Sequence, residues 1–236
     1  MILRAGLLKS CLFKNINGEK MKFKYILFDL DGTLTESGTG ILNAIKYALL
    51  KKGMEVPEKD ILKMFIGPPL SESFKKYCGC TPACANELVG LFREYYVEKG
   101  MFENKVYDGI YELLESLKIA GKKLLVATSK PTLHAEKILE HFGLSSFFEY
   151  VSGADEDGKT VKKTDIIRNA IKFLDLKDSS CCIMVGDRKY DILGAKTFEI
   201  ASCGVLYGYG SYEELKNAGA DYLCSDTKEL LELLLK

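Results

Sequence analysis

Apolar residues recur along the chain in two rhythms, and the order in which the rhythms change predicts its architecture. Residues 23–30 begin by alternating and end as a continuous apolar run, as expected of a strand covered on both faces. From Gly38 the spacing becomes helical: Ile41, Leu42, Ile45, Ala48 and Leu49 recur at steps of three and four until Gly53. Helical faces follow at 61–66, 70–77 and 87–97. They are separated by Gly67-Pro68-Pro69 and by residues 79–82, where helical continuity breaks. No strand is expected between 37 and 105.

After that block, helix and strand alternate. Helices are expected at 107–120, 132–142, 163–174, 190–196, 212–218 and 228–235, with extended segments at 123–128, 147–152, 181–186, 201–206 and 221–224. Such alternation predicts an α/β fold, a Rossmann-like doubly wound parallel sheet with helices on both faces. Residues 21–36 and 106–236 would form this core. Residues 37–105 then read as an all-helical insertion after the first strand.

Composition narrows the partners. The chain has 236 residues with 33 basic and 33 acidic side chains, a formal net charge of +0, so no global field favours nucleic acid or an anionic membrane. An anionic ligand must be held by local groups. No apolar run approaches the ~20 residues needed to span a bilayer. Of the eight cysteines, Cys181, Cys182, Cys203 and Cys224 sit in apolar strand-like runs, as small hydrophobes rather than a disulfide framework, which points to a reducing, cytoplasmic setting. Cys78, Cys80 and Cys84 lie close together but lack the paired spacing of a zinc site. Residues 1–20 form an extension whose first seventeen residues carry basic charges and no acid; these charges interrupt any signal-peptide core, although a transit peptide has a similar start. Gly18-Glu19-Lys20-Met21 is encodable by a sequence resembling a bacterial ribosome-binding site and start codon, so translation is expected to begin at Met21.

The costly chemistry lies at strand ends. Asp29 and Asp31, one residue apart where the first strand meets Gly32, repel each other and call for a cation or a shared proton; an Asp-Gly turn alone would also use these residues. In a doubly wound sheet, ligands collect beyond the carboxyl ends of the strands. That rule adds Thr128 and Ser129, and also Asp187 with Asp191, which are expected to face one side of a helix across one turn. Lys163 opens a helix at the end where the dipole disfavours a cation; an anionic partner would favour it there, and a solvated surface lysine beside Lys159 and Lys162 is the alternative. His134 and His141 are expected to be structural. The acid-rich residues 155–158 lack the later ligands of a calcium loop and read as a solvated turn.

In order and spacing, Asp29-Leu30-Asp31-Gly32-Thr33-Leu34-Thr35, Thr128, Lys163 and Gly186-Asp187-x-x-x-Asp191 resemble the four motifs of the haloacid-dehalogenase-like hydrolase superfamily. Tyr107-Asp108-Gly109 and residues 204–210 resemble its phosphoglycolate-phosphatase branch, while residues 66–70 and 157–163 resemble a bacterial 5'-nucleotidase-like group. The departure is Thr164, where members commonly carry proline; Asp165 fits the related group. The resemblance implies a magnesium-dependent phosphomonoesterase, with Asp29 as nucleophile and Asp31 as acid and base. Mg2+ would be held by Asp29, the Asp31 backbone carbonyl and Asp187, with Asp191 a further ligand or an orienting group. Thr128, Ser129 and Lys163, for whose place Lys162 competes, would bind phosphate, Lys130 and Arg188 would reach the phosphate or its leaving group, and the helical insertion would be a mobile cap whose loop at Gly67, Pro68 and Pro69 dips toward the substrate, a plain helix breaker being the other reading of that loop. The expected substrate is phosphoglycolate, a nucleoside 5'-monophosphate or a similar small metabolite, and the expected state a monomer or homodimer. Alternatives are a sugar phosphomutase of the beta-phosphoglucomutase type and a non-catalytic binding protein on the same scaffold.

Overall fold

The computed structural model describes residues 22–155, 162–176 and 179–236. The N-terminal extension, most of the acid-rich stretch and most of the string 157–163 lie outside the described residues. Among the described residues, six parallel strands form one sheet: β1 (Tyr25–Phe28), β2 (Lys123–Pro131), β3 (Tyr150–Ala154), β4 (Cys182–Gly186), β5 (Ala201–Val205) and β6 (Tyr222–Cys224). Their order is β3-β2-β1-β4-β5-β6. β1 pairs with β2 on one side and with β4 on the other, so the direction of winding reverses at β1. A crevice therefore opens beyond its carboxyl end, where Asp29 and Asp31 lie.

The pleat sends alternate residues to opposite faces. Ile26, Phe28, Leu124, Val126, Ile183 and Val185 join one core, while Leu27, Leu125, Ala127, Cys182 and Met184 join the other. The first face is covered by α5 (Ile110–Ile119), α6 (Thr132–His141) and α10 (Thr227–Leu235). The second is covered by α7 (Lys163–Phe173) and α8 (Lys189–Thr197). α9 (Tyr212–Ala218) connects β5 to β6. Apolar residues on both faces of each central strand explain the unbroken apolar runs in the sequence.

Between β1 and β2 stand α1 (Gly38–Lys51), α2 (Lys59–Lys63), α3 (Leu70–Cys78) and α4 (Pro82–Tyr95), which runs on into a π-helical turn, Tyr96–Gly100. Their apolar faces meet one another: Ala44, Ile45, Ala48 and Leu49 of α1 join Phe74, Leu88 and Phe92, and Phe65 meets Phe74 edge to face with centroids 5.3 Å apart. No strand interrupts this block.

Several boundaries differ from the pattern. β2 continues three residues past Thr128, and its register with β3 shifts between Ala127 and Pro131. α5 begins at Ile110 because Gly109 is left-handed. α8 begins at Lys189, so Asp187 lies in the bend before the helix and not on it. Asp187 and Asp191 thus do not share a helical face as expected; the bend brings them together instead. Cys181, Cys182, Cys203 and Cys224 are buried, as their apolar context predicted.

Candidate active site

Three strand ends deliver the polar residues. Asp29 follows β1 directly, and its backbone N–H donates to the Val185 carbonyl of β4 at 2.9 Å, which fixes where its side chain leaves the sheet. Asp29 Oδ1 accepts from the Leu30 N–H at 2.8 Å and lies 3.0 Å from Lys163 Nζ. Lys163 Nζ is also 2.7 Å from Asp191 Oδ1 and donates to the Ala127 carbonyl at 3.0 Å. Burial pushes the Lys163 pKa down, but the charges of Asp191 and Asp29 more than reverse this and leave it raised. The ammonium stays charged, bridging one carboxylate from the end of β1 and one from the first turn of α8. Lys162 is the exposed N-terminal cap of α7 and makes no such contact.

Asp187 is fully buried. Its Oδ2 accepts the Tyr209 N–H at 2.7 Å, while Oδ1 has no hydrogen-bond partner among the described residues. Burial, then the charges of Asp191 and Asp29, raises its pKa well above the usual carboxylate range. Asp191 Oδ2 accepts the Arg188 N–H at 3.0 Å. Burial first and the Asp29 charge second, opposed by Lys163, push the Asp191 carboxyl up to about 6.

Backbone close approach makes this crowding possible. Gly32 has φ +82°, and a Cβ there would lie 2.2 Å from Asp187 Oδ2. From the other side, a Cβ on Gly208 would lie 2.3 Å from the Asp187 Cβ. Only glycine lets the two loops close on Asp187. Among the described residues, Asp29, Asp187 and Asp191 form the one group whose ligand atoms all lie within 4.8 Å of one another. Three buried carboxylates, one with an unpartnered oxygen and two, Asp187 and Asp191, with pKa values raised by burial and like charge, fit a hard divalent cation.

Asp31 faces a different cation. Its Oδ2 is 2.8 Å from Lys130 Nζ, and Oδ1 is buried without a hydrogen-bond partner among the described residues. Lys130 also hydrogen-bonds the Tyr96 hydroxyl, which comes from the helical block. Thr128 is buried near the end of β2, its hydroxyl accepting the Lys130 N–H at 3.3 Å, and Ser129 is half-buried beside it. Across the crevice Arg188 Nε donates to Glu214 Oε1 at 2.9 Å, and Nη1 donates to the Ile66 carbonyl. Gly67 follows directly, exposed, with Pro68 half-buried and Pro69 capping α3. The helical block therefore touches the core through Lys130 and Arg188, both strand-end residues. His134 and His141 lie among aromatic rings, near Tyr96 and Phe102 respectively.

Sequence reasoning missed Tyr96, Tyr209 and Glu214. Tyr96 looks like one more apolar position of a helix, and Tyr209 acts through its backbone. The glycines around Tyr209 were the only available signal.

Residues 26–205 match the pattern defining haloacid dehalogenase-like hydrolases. The chain belongs to that family. A 5'-nucleotidase of Pseudomonas aeruginosa is 40% identical over 214 residues, covering 91% of this chain and 96% of its own. A phosphoglycolate phosphatase of Colwellia psychrerythraea is 30% identical over 219 residues, covering 89% and 96%. A Mycobacterium tuberculosis protein named tyrosine-protein kinase PtkA is 39% identical over 185 residues, covering 78% of this chain and 62% of its own. The crystal structure of a predicted phosphatase from Clostridium acetobutylicum superimposes with a TM-score of 0.85 at 49% identity, covering 90% of this chain and 98% of that one. The protein is thus a haloacid-dehalogenase-type phosphatase on an α/β Rossmann-like core, as the four motifs implied. Among the described residues no helix is long and apolar enough to cross a membrane.

Proposed function

We propose that the protein is a magnesium-dependent phosphomonoesterase acting on a small phosphorylated metabolite, of the phosphoglycolate or nucleoside 5'-monophosphate type, through an aspartyl-phosphate. The observation that carries this reading is the division of labour between the two carboxylates of the opening motif. Asp29 belongs to the cluster with Asp187, Asp191 and Lys163, whereas Asp31 is paired, among the described residues, with Lys130. Residues 21–36 and 106–236 act as the catalytic core and 37–105 as the cap.

Both Asp29 contacts, to Leu30 N–H and Lys163, fall on Oδ1, which leaves Oδ2 to attack phosphorus in line as the ester oxygen departs. The Asp31 carboxyl gives its proton to that leaving alcohol. It then takes a proton from water, whose oxygen attacks the aspartyl-phosphate and regenerates Asp29. Lys163 holds Asp29 in place and balances the clustered negative charge, while Thr128 and the backbone near Ser129 hydrogen-bond phosphate oxygens. Mg2+ would be held by the side chains of Asp29 and Asp187 and the Asp31 backbone carbonyl, with Asp191 as ligand or orienting group. When bound, it offsets the negative charge of the phosphoryl group. The cap loop at Gly67, Pro68 and Pro69, held by Arg188, screens the site from water and meets the leaving group.

Wild type and Asp29→Asn are to be compared on p-nitrophenyl phosphate with magnesium, then wild type on a panel of phosphorylated metabolites. Hydrolysis lost by several orders of magnitude in Asp29→Asn is the expected result. Equal rates in the two proteins would remove the proposal, and conversion of a hexose 1-phosphate to its 6-phosphate would replace it with a mutase.

A further inference from the structure

The Tyr96 ring stacks on Phe92, with centroids 5.1 Å apart and 15° between planes, and is 4% exposed. Phenylalanine would satisfy that packing equally well. The hydroxyl needs a different reason, because a buried O–H requires a partner. Its partner is Lys130 Nζ, which also lies 4.8 Å from the Tyr96 ring centroid and 2.8 Å from Asp31 Oδ2. The Lys130 side chain is 5% exposed, so the ammonium has left water for these contacts.

The three groups come from three places: Asp31 from the loop after β1, Lys130 from β2, and Tyr96 from the helical block. Tyr96 begins the π-helical turn, where the widened backbone departs from the helical path of α4. Such turns are frequent at functional sites. With Asp31 Oδ1 unpartnered, the orientation of this carboxylate depends on Lys130, and the placement of Lys130 depends on Tyr96.

We propose that Tyr96 is a positioning residue supplied by the cap, whose hydroxyl sets the Lys130 ammonium against Asp31 and so assembles the acid and base only when the cap is seated. The proposal rests on the phosphatase reading for its kinetic consequence, but not for the clasp itself. A seated cap gives Lys130 two anchors. A withdrawn cap leaves it Asp31 alone, and the carboxylate loses its fixed direction.

Tyr96→Phe keeps the ring and deletes only the hydroxyl. In the full chain its kcat/KM on 2-glycerophosphate, whose alkoxide leaving group needs a proton, should fall about tenfold, the size of one hydrogen bond to a charged group. On p-nitrophenyl phosphate, whose leaving group does not, the fall should be several times smaller. Lys130→Met should show the same dependence on leaving group, and the double variant should be no worse than the poorer single one. Amide hydrogen exchange, independent of turnover, should rise in Tyr96→Phe at 96–100 and 128–130 and stay unchanged in α10. Equal losses on the two esters, additive losses in the double variant, or an unchanged exchange pattern would overturn the proposal. Should the wild type hydrolyse neither ester, the phosphatase reading fails, and exchange alone decides the clasp.

Discussion

Lys163 enters its helix at the end where the backbone dipole opposes a cation, and its side chain is 5% exposed. Two carboxylates hold it there. Lys163→Met would strand buried Asp29 and Asp191 without their counter-charge, a loss of about 3–5 kcal/mol. Urea unfolding of the metal-free protein should show that cost, and added magnesium should shrink it. Lys122 makes the opposite case. Buried, with the Phe23 carbonyl at 2.7 Å as its acceptor among the described residues, it has a pKa pushed down by burial to about 8. The unfolded chain therefore keeps this proton to higher pH than the folded one, and Lys122 adds a rise in stability between about pH 8 and 10.5. Unfolding of wild type and Lys122→Met across that window should show the wild type gaining relative to the variant, with no further drift below pH 7. Residues whose presence costs energy were legible in the sequence, namely Asp29, Asp31, Asp187 and Lys163. Residues that contribute a backbone N–H or a hydroxyl on an apolar ring, Tyr209 and Tyr96, were not, because neither leaves a mark on the apolar pattern.

The same limit appears in the elements. All six strands and most helices follow from the two rhythms, because apolar period and burial share one cause. Element ends answer to hydrogen bonding instead. The late start of α5 depends on a left-handed Gly109, and the π-helical turn adds a residue per turn that a 3.6-residue period does not register. Nor could the pattern foresee that Asp187 occupies a bend. The contact of Arg188 with the Ile66 carbonyl joins the loop before α3 to the bend before α8, two segments that share no periodicity. Replacing Arg188 by methionine removes a charge-assisted hydrogen bond of about 1.5–3 kcal/mol. Amide exchange at 65–70 should rise about tenfold or more, with α10 as the unaffected reference.

Across the whole molecule, the reversal of winding at β1 gathers loops from β1, β2 and β4 over one crevice, and the helical block closes it from above. With no net charge to draw an anion from afar, capture depends on the few cations inside. Magnesium at about a hundred times its dissociation constant should stabilise the fold by about 2.7 kcal/mol. Asp187→Asn should abolish that increment, yet melt higher than wild type without metal, since one of three mutually repelling carboxylates has gone. Thermal unfolding with and without chelator checks both signs. The bridging ammonium of Lys163 has one further consequence. With Asp29, Asp187 and Asp191 all ionised, three negative charges and one positive share the pocket. A divalent ion brings that total to zero, and the pair of Asp31 with Lys130 is already neutral. A phosphate dianion then enters an electroneutral chamber, whereas a monovalent ion would leave it facing a residual negative charge. The ratio of aspartates to lysines would in this sense favour a doubly charged ion.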